Sequence, residues 1–176
     1  MTTTATLHFF CGKAGAGKST VAADLSSKQS TIMLSEDIWL LALYGDGMNS
    51  FADFIRYSKR LKAVVGPLVV DLLRSGQSVV LDFQANTKPG RRWFRSLFKQ
   101  ASADHVLHVL NASDDVCLER IARRNRERPP GSHHLSEDDF RHIASFFQPP
   151  EEAEMFNVKL HAWNLRDAAN LLFVEG

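Results

Sequence analysis

The residues Gly12-Lys13-Ala14-Gly15-Ala16-Gly17-Lys18-Ser19 keep the spacing G-x-x-x-x-G-K-[ST], which in chemical terms is a cradle for phosphate. Glycines let the backbone close around a phosphate group. The N–H groups of such a loop, and of the helix that it opens, supply positive potential, while Lys18 reaches the outer phosphates. The Ser19 hydroxyl is a candidate ligand for Mg²⁺, and Thr20 completes the run expected to hold the nucleotide. No N-K-x-D guanine signature occurs in the chain, which favours ATP over GTP.

Further candidates lie downstream. Asp82 ends an apolar run and could hold Mg²⁺ through water opposite Ser19; a turn-forming Asp at a strand end is the plainer reading. Arg120, Arg124 and Arg128 recur at four-residue spacing beside Arg123 and Arg126, so guanidinium groups can line one side of a helix end and clamp phosphates. Arg120 and Arg124 are the two expected to act, with the others on a solvated face near Glu119 and Glu127. Arg91, Arg92 and Arg95 could bind an anionic acceptor or RNA, and Asn86 and Thr87 could touch an acceptor. His133-His134 has no metal spacing around it. Trp39, Trp93 and Trp163 read as core or pocket wall.

The elements that must position these groups alternate between two kinds. Short apolar, β-prone runs fall at 7–11, 31–34, 78–81, 105–110 and 157–161, with helical spacing between most of them. Such alternation predicts a parallel sheet covered by helices on both faces. Between 50 and 74, Phe51, Phe54, Ile55, Leu61, Val65, Leu68, Leu72 and Leu73 form one stripe, with Ser50 and Asp53 as a start and Gly76 as a stop. Gly66-Pro67 is expected to kink or split that helix. Thr87, Ser113 and Ser136 are expected N-caps. Residues 44–49, 128–135 and 148–154 read as mobile loops.

Composition excludes several classes. The chain has 176 residues, 44% hydrophobic and 23% charged, enough to bury a core without staples. Lys and Arg number 21 against 20 Asp and Glu, so no global field draws it to nucleic acid or membrane. Two cysteines, Cys11 and Cys117, make no disulfide scaffold. The absence of a leader pattern or a long apolar run points to a soluble, cytoplasmic protein.

From residue 7 to about residue 161 the chain resembles the small AAA-type P-loop kinases of the polynucleotide kinase, zeta toxin, chloramphenicol phosphotransferase and gluconate kinase type. The likeness rests on the phosphate loop, on Leu34-Ser35-Glu36-Asp37, on Val79-Val80-Leu81-Asp82 with Asn86-Thr87, and on Arg120-Ile121-Ala122-Arg123-Arg124. It implies that Asp37 faces the acceptor hydroxyl, with Glu36 its closest rival and a helix N-cap the structural alternative. The polynucleotide kinase pattern has an Arg three residues beyond this Asp, where Leu40 stands here, and that departure favours a less charged acceptor. The implied fold is a three-layer α/β/α P-loop NTPase domain over 1–176, with a five-stranded parallel sheet, acceptor-covering helices over about 38–75 and an arginine-bearing lid over about 124–147. The implied activity is transfer of the γ-phosphoryl group of ATP, with Mg²⁺, to a hydroxyl of a small molecule, with Lys18, Asp37, Arg120 and Arg124 as catalytic groups. A polynucleotide or nucleotide-sugar kinase, and a nucleotide-binding switch without an acceptor, are the alternatives.

Overall fold

The computed structural model describes residues 5–129 and 134–162. Its strands are β1 (Thr6–Cys11), β2 (Thr31–Ser35), β3 (Ser78–Gln84), β4 (Asp104–Asn111) and β5 (Val158–Ala162), and its helices are α1 (Lys18–Ser26), α2 (Glu36–Tyr44), α3 (Phe51–Arg74), α4 (Lys88–Ala101), α5 (Asp114–Glu127) and α6 (Glu137–Ala144). The sheet runs β2-β3-β1-β4-β5 with every pairing parallel. All five apolar runs in the sequence are strands; β3 and β4, apolar on nearly every residue, carry long buried stretches, as strands covered on both faces do, while Val158 and Leu160 of β5 are exposed. Strand order reverses around β1, so the loop after β1 opens into the crevice where α/β sheets bind ligands.

Alternation along the strands divides the core. Leu7, Phe9, Leu81 and Leu107 face α3 and α4 through Leu61, Val65, Val69, Phe94 and Leu97. Phe10, Val80 and Leu110 face α1, α5 and α6 through Ala22, Leu25, Cys117, Ile121 and Phe140. The long α3 is continuous through Pro67 rather than split. Pro67 sits on the solvent side, where water can take the carbonyl that its missing N–H leaves, and Gly66 lies against Leu97 and Trp93 of α4. Ser50, Thr87, Ser113 and Ser136 all accept a backbone N–H of the first turn of their helices, as the sequence indicates.

Two expected loops carry structure of different origin. Residues 45–47 form a local 3-10 turn after α2, whereas the second is held by partners distant in sequence. The segment after α6 is gripped by Arg91, which is 0% exposed. Its guanidinium donates to both carboxylate oxygens of Glu154 at 2.8 Å, to the carbonyls of Gln148 and Ala85 at 2.8 and 3.0 Å, and to Pro149 O at 3.3 Å. Arg95 donates to Glu154 O and stacks over Phe156. Arg91 and Arg95 are therefore structural, and the expectation that they bind an anionic acceptor or RNA is corrected: α4 turns them into the fold, leaving Arg92 exposed.

A chain of three histidines crosses the sheet. His8 Nδ1 lies 3.0 Å from His108 Nε2, and His108 Nδ1 lies 2.8 Å from His161 Nε2. Each contact needs one N–H and one bare nitrogen, which neutral rings supply. Burial, with Lys28 and Lys159 adding to it, lowers His8 to about 4; burial, then His8, His161 and the two lysines, lowers His108 to about 3. A depressed folded-state pKa means that the unfolded chain takes up the proton first. Stability should thus be lost as pH falls from 6.5 toward about 4, and thermal melts of a His8→Gln/His108→Gln double variant should show a flatter pH dependence across that window.

Candidate active site

The phosphate loop departs from ordinary backbone where glycine allows it. Gly15 and Gly17 have φ of 77° and 102°, in the left-handed region that other residues avoid. A Cβ on Gly15 would also lie 2.5 Å from the carbonyl of Cys117 in α5. Gly17 then starts α1, whose first-turn N–H groups, those of Lys18, Ser19 and Thr20, have no intrahelical partners and face the anion position with the positive end of the helix dipole.

Lys18 is half-buried as a residue, but its ammonium is folded under the loop, 2.6 Å from Gly12 O and 2.8 Å from Lys13 O. Burial pulls its pKa down, while Asp82, Cys11 and Asp37 pull it up. The Ser19 hydroxyl lies close enough to Asp82 to stabilise its carboxylate. A register shift makes this pairing possible: β1 and β3 match at Phe9↔Leu81 but next at Phe10↔Gln84, so Asp82 lies outside the ladder to β1, beside the start of α1. Irregularities of this kind re-aim side chains near functional sites.

Glu36 and Asp37 are the first two residues of α2, which Ser35 precedes as N-cap position. Asp37 is therefore not the cap that the structural alternative required. Successive helical residues point about 100° apart, and the two carboxylates separate accordingly. Glu36 is 2% exposed and turns toward α3, where the Ser58 hydroxyl donates to it and Lys62 Nζ lies 3.7 Å away. Burial raises its pKa against those partners. Asp37 is exposed and lies in the electrostatic reach of Lys18 and Asp82.

The arginines of α5 divide. Arg120 donates to Ala16 O at 3.1 Å and Gly15 O at 3.4 Å, bracing the loop from behind. Arg124 has a buried Nε with no hydrogen-bond partner among the described residues. Arg123, Arg126 and Arg128 are exposed. Within the expected lid, residues 130–133 lie outside the described residues, His133 with them, as does Trp163; α6 itself is packed down through the buried Phe140. Lys13 pairs with Asp114 at 2.6 Å.

Asn86, a candidate acceptor contact, has a partner within the fold: its Oδ1 accepts the Gly12 N–H at 2.9 Å. Nothing in the local pattern around Asn86 indicates that contact, because its partner is 74 residues away. Thr87 caps α4 through Gly90 N.

The oxygen set at this end of the sheet suits Mg²⁺. A hydroxyl (Ser19) and a carboxylate (Asp82) meet beside a phosphate cradle, which matches an ion held by one or two protein oxygens plus substrate phosphates. Among the described residues no cluster of three His, Cys, Asp or Glu could hold a metal by itself, and no helix is long and apolar enough to cross a membrane.

A family model described as an AAA domain matches residues 7–150. Among solved structures the chain is similar to one from Chloroflexus aurantiacus J-10-fl (TM-score 0.70, 20% identity, covering 98% of this chain and 97% of that one). It is also similar to Kti12 of Chaetomium thermophilum, solved with ADP-AlF3 (TM-score 0.68, 18%, 94% of each chain). A third is the APS kinase CysC of Mycobacterium tuberculosis, solved with AMPPNP and APS (TM-score 0.60, 20%, 97% and 96%). At these identities the likeness is one of fold. No curated protein matches the chain.

Burial pushes the Asp82 carboxyl above its usual range, the Ser19 hydroxyl opposes the rise, Asp37 adds to it and Lys18 opposes it. A raised folded-state pKa favours the acid form: its stabilisation is complete below the unfolded pKa, about 3.9, and is lost as pH rises through the folded value. Asp82→Asn should therefore raise the melting temperature of the nucleotide-free protein at pH 7, with the gain shrinking toward pH 4.

Proposed function

The chain belongs to the AAA domain family, and from that premise we propose that it is an ATP-dependent phosphotransferase that moves the γ-phosphoryl group of ATP, with Mg²⁺, onto a hydroxyl of a small molecule. The observation that carries this reading is the placement of Lys18, Ser19 and Asp82 together at the carboxyl end of the sheet with Asp37 within their electrostatic reach, while Glu36 is turned into the α2–α3 interface.

In this reading the N–H groups of Gly12 to Thr20, with Lys13, Ala14, Gly15, Ala16 and Gly17 between them, hold the phosphates. Lys18 leaves the loop carbonyls for the outer phosphates, exchanging neutral acceptors for charged ones. Ser19 and Asp82 hold Mg²⁺, which when bound neutralises charge on the phosphate oxygens. Asp37 accepts the proton of the acceptor hydroxyl or orients it toward the phosphorus. The unpartnered Nε of Arg124 is a donor that phosphate charge would satisfy. Arg120 acts at one remove, through the carbonyls that it holds.

The internal bonding of Arg91 and Arg95 leaves only Arg92 of the cluster that favoured a nucleic acid acceptor, and Leu40, also buried, contributes no charge in its place. A small, weakly charged alcohol fits this surface better. Buried, unpaired Cys11 and Cys117 accord with a reducing, cytoplasmic setting.

Two measurements test the reading. Lys18→Ala and Ser19→Ala should each weaken Mg-ATP binding in calorimetry without unfolding the protein; unchanged affinity in both would sink the assignment. Asp37→Asn should bind ATP as the wild type does and lose about 10² to 10⁴ in transfer of label from ATP to the acceptor, which a pool of metabolite alcohols would first have to supply. Wild-type transfer by that variant would move the role elsewhere, and no transfer by the wild type to any metabolite, RNA or DNA would favour the nucleotide switch.

A further inference from the structure

Asn86 lies between β3 and α4 and is bonded in three directions. Its Oδ1 accepts the Gly12 N–H at 2.9 Å, its Nδ2 donates to Gln84 Oε1 at 3.4 Å, and its backbone carbonyl accepts the Gln148 N–H at 2.8 Å. Gly12 opens the phosphate loop, and its own carbonyl takes the Lys18 ammonium. Gln148 is the root of the segment that leaves α6, and it is fixed twice more: its Oε1 accepts the Lys88 N–H at 2.9 Å, and its carbonyl accepts from the buried Arg91. Asn86 thus ties the start of the phosphate loop, through its side chain, to a post built from α4 and the α6 return, which its backbone carbonyl holds.

We propose that Asn86 is a positioning residue for the phosphate loop, and that through it the state of the loop is communicated to Gln148 in the segment that follows α6. The proposal rests on the phosphotransferase reading only for its consequence in turnover; the tether itself is a property of the nucleotide-free chain. With the Gly12 N–H held from below, the Gly12 Cα is fixed, and the next peptide, which carries the Gly12 carbonyl, is presented to Lys18 above. When Lys18 leaves that carbonyl for phosphate, the pull on the Gly12–Lys13 peptide changes and reaches Asn86 through the Gly12 Cα and N–H, and Asn86 is the covalent and hydrogen-bonded route from there to Gln148. The neighbour Gln84 orients the amide, so that the oxygen and not the NH₂ group meets the Gly12 N–H.

The test uses the full chain. In the nucleotide-free protein, Asn86→Ala should speed hydrogen exchange of the Gly12 amide about tenfold, the factor that one hydrogen bond of ordinary net strength amounts to. The same variant should bind ATP and ADP more weakly while its affinity for adenosine is unchanged, because only the phosphates touch the loop. The amide resonance of Gln148 should shift when ATP is added to the wild type and stay in place when ATP is added to Asn86→Ala. Asn86→Asp keeps the acceptor oxygen, so Gly12 protection should persist while the added negative charge weakens ATP binding most at low salt. Unchanged Gly12 exchange in Asn86→Ala overturns the tether, equal losses for adenosine and ATP make the residue merely structural, and a Gln148 shift that survives the substitution overturns the communication. Should the Ala variant fail to fold, loss of Gly12 protection in Asn86→Asp would overturn the inference by itself. A wild type that binds no ATP would defeat the phosphotransferase reading and the communication, and would leave the exchange result standing for the tether.

Discussion

Lys18 holds a positive charge in a place from which water is largely excluded, and much of the structure around it follows from keeping that charge solvated. Two loop carbonyls do so directly, at 2.6 and 2.8 Å, but carbonyls can converge on one ammonium only if their peptides are held in an unusual shape. Glycine at 15 and 17 permits the shape; it does not enforce it. Enforcement comes from outside the loop, through Asn86 on the Gly12 N–H and Arg120 on the carbonyls of Gly15 and Ala16. Each of those side chains sits on an element whose own position depends on the core, so the loop inherits its rigidity from β3, α4 and α5.

The same charge explains why acidic groups are tolerated nearby. Asp82 is desolvated and has Asp37 as a like-charged neighbour, both of which destabilise its ionised form. Lys18 and the Ser19 hydroxyl offset part of that cost. The arrangement is therefore less stable than a neutral one and better suited to a polyanion accompanied by a divalent cation, whose charges complete the balance. Stability given up at one place in a fold can be recovered elsewhere, and the recovery here is visible in the dry, fully bonded Arg91 and in the two apolar layers.

Strands, helix caps and the phosphate loop were legible in the sequence because each is a local pattern: a run of Val and Leu, a Ser or Thr before a periodic stretch, glycines at fixed offsets. Residues whose role is set across the chain were not. Arg91 looked like a free cation at the start of a helix, and only the fold brings Glu154, 63 residues away, onto it. Residues 148–154 looked like a loose loop for the same reason. Asn86 looked like a substrate contact because it follows the strand end that faces the crevice; the Gly12 N–H that it meets is equally near that end. The register shift at Phe10 and Gln84, which frees Asp82 to reach Ser19, has no signature in composition at all.

The pair Glu36 and Asp37 shows where the boundary between local and distant information lies. Adjacent carboxylates at the start of a helix are chemically equivalent on paper, and the helix guarantees only that they diverge. Which one turns inward is decided by α3, where Ser58 and Lys62 stand one helical turn apart and offer a hydroxyl and an ammonium to a buried carboxylate. Those partners let Glu36 be desolvated and thereby anchor the start of α2. Asp37, about 100° further round that anchored turn, is left exposed and within the electrostatic reach of Lys18 and Asp82. A buried acid thus fixes the bearing of an exposed one, and the site acquires its outward carboxylate from an interaction made behind it.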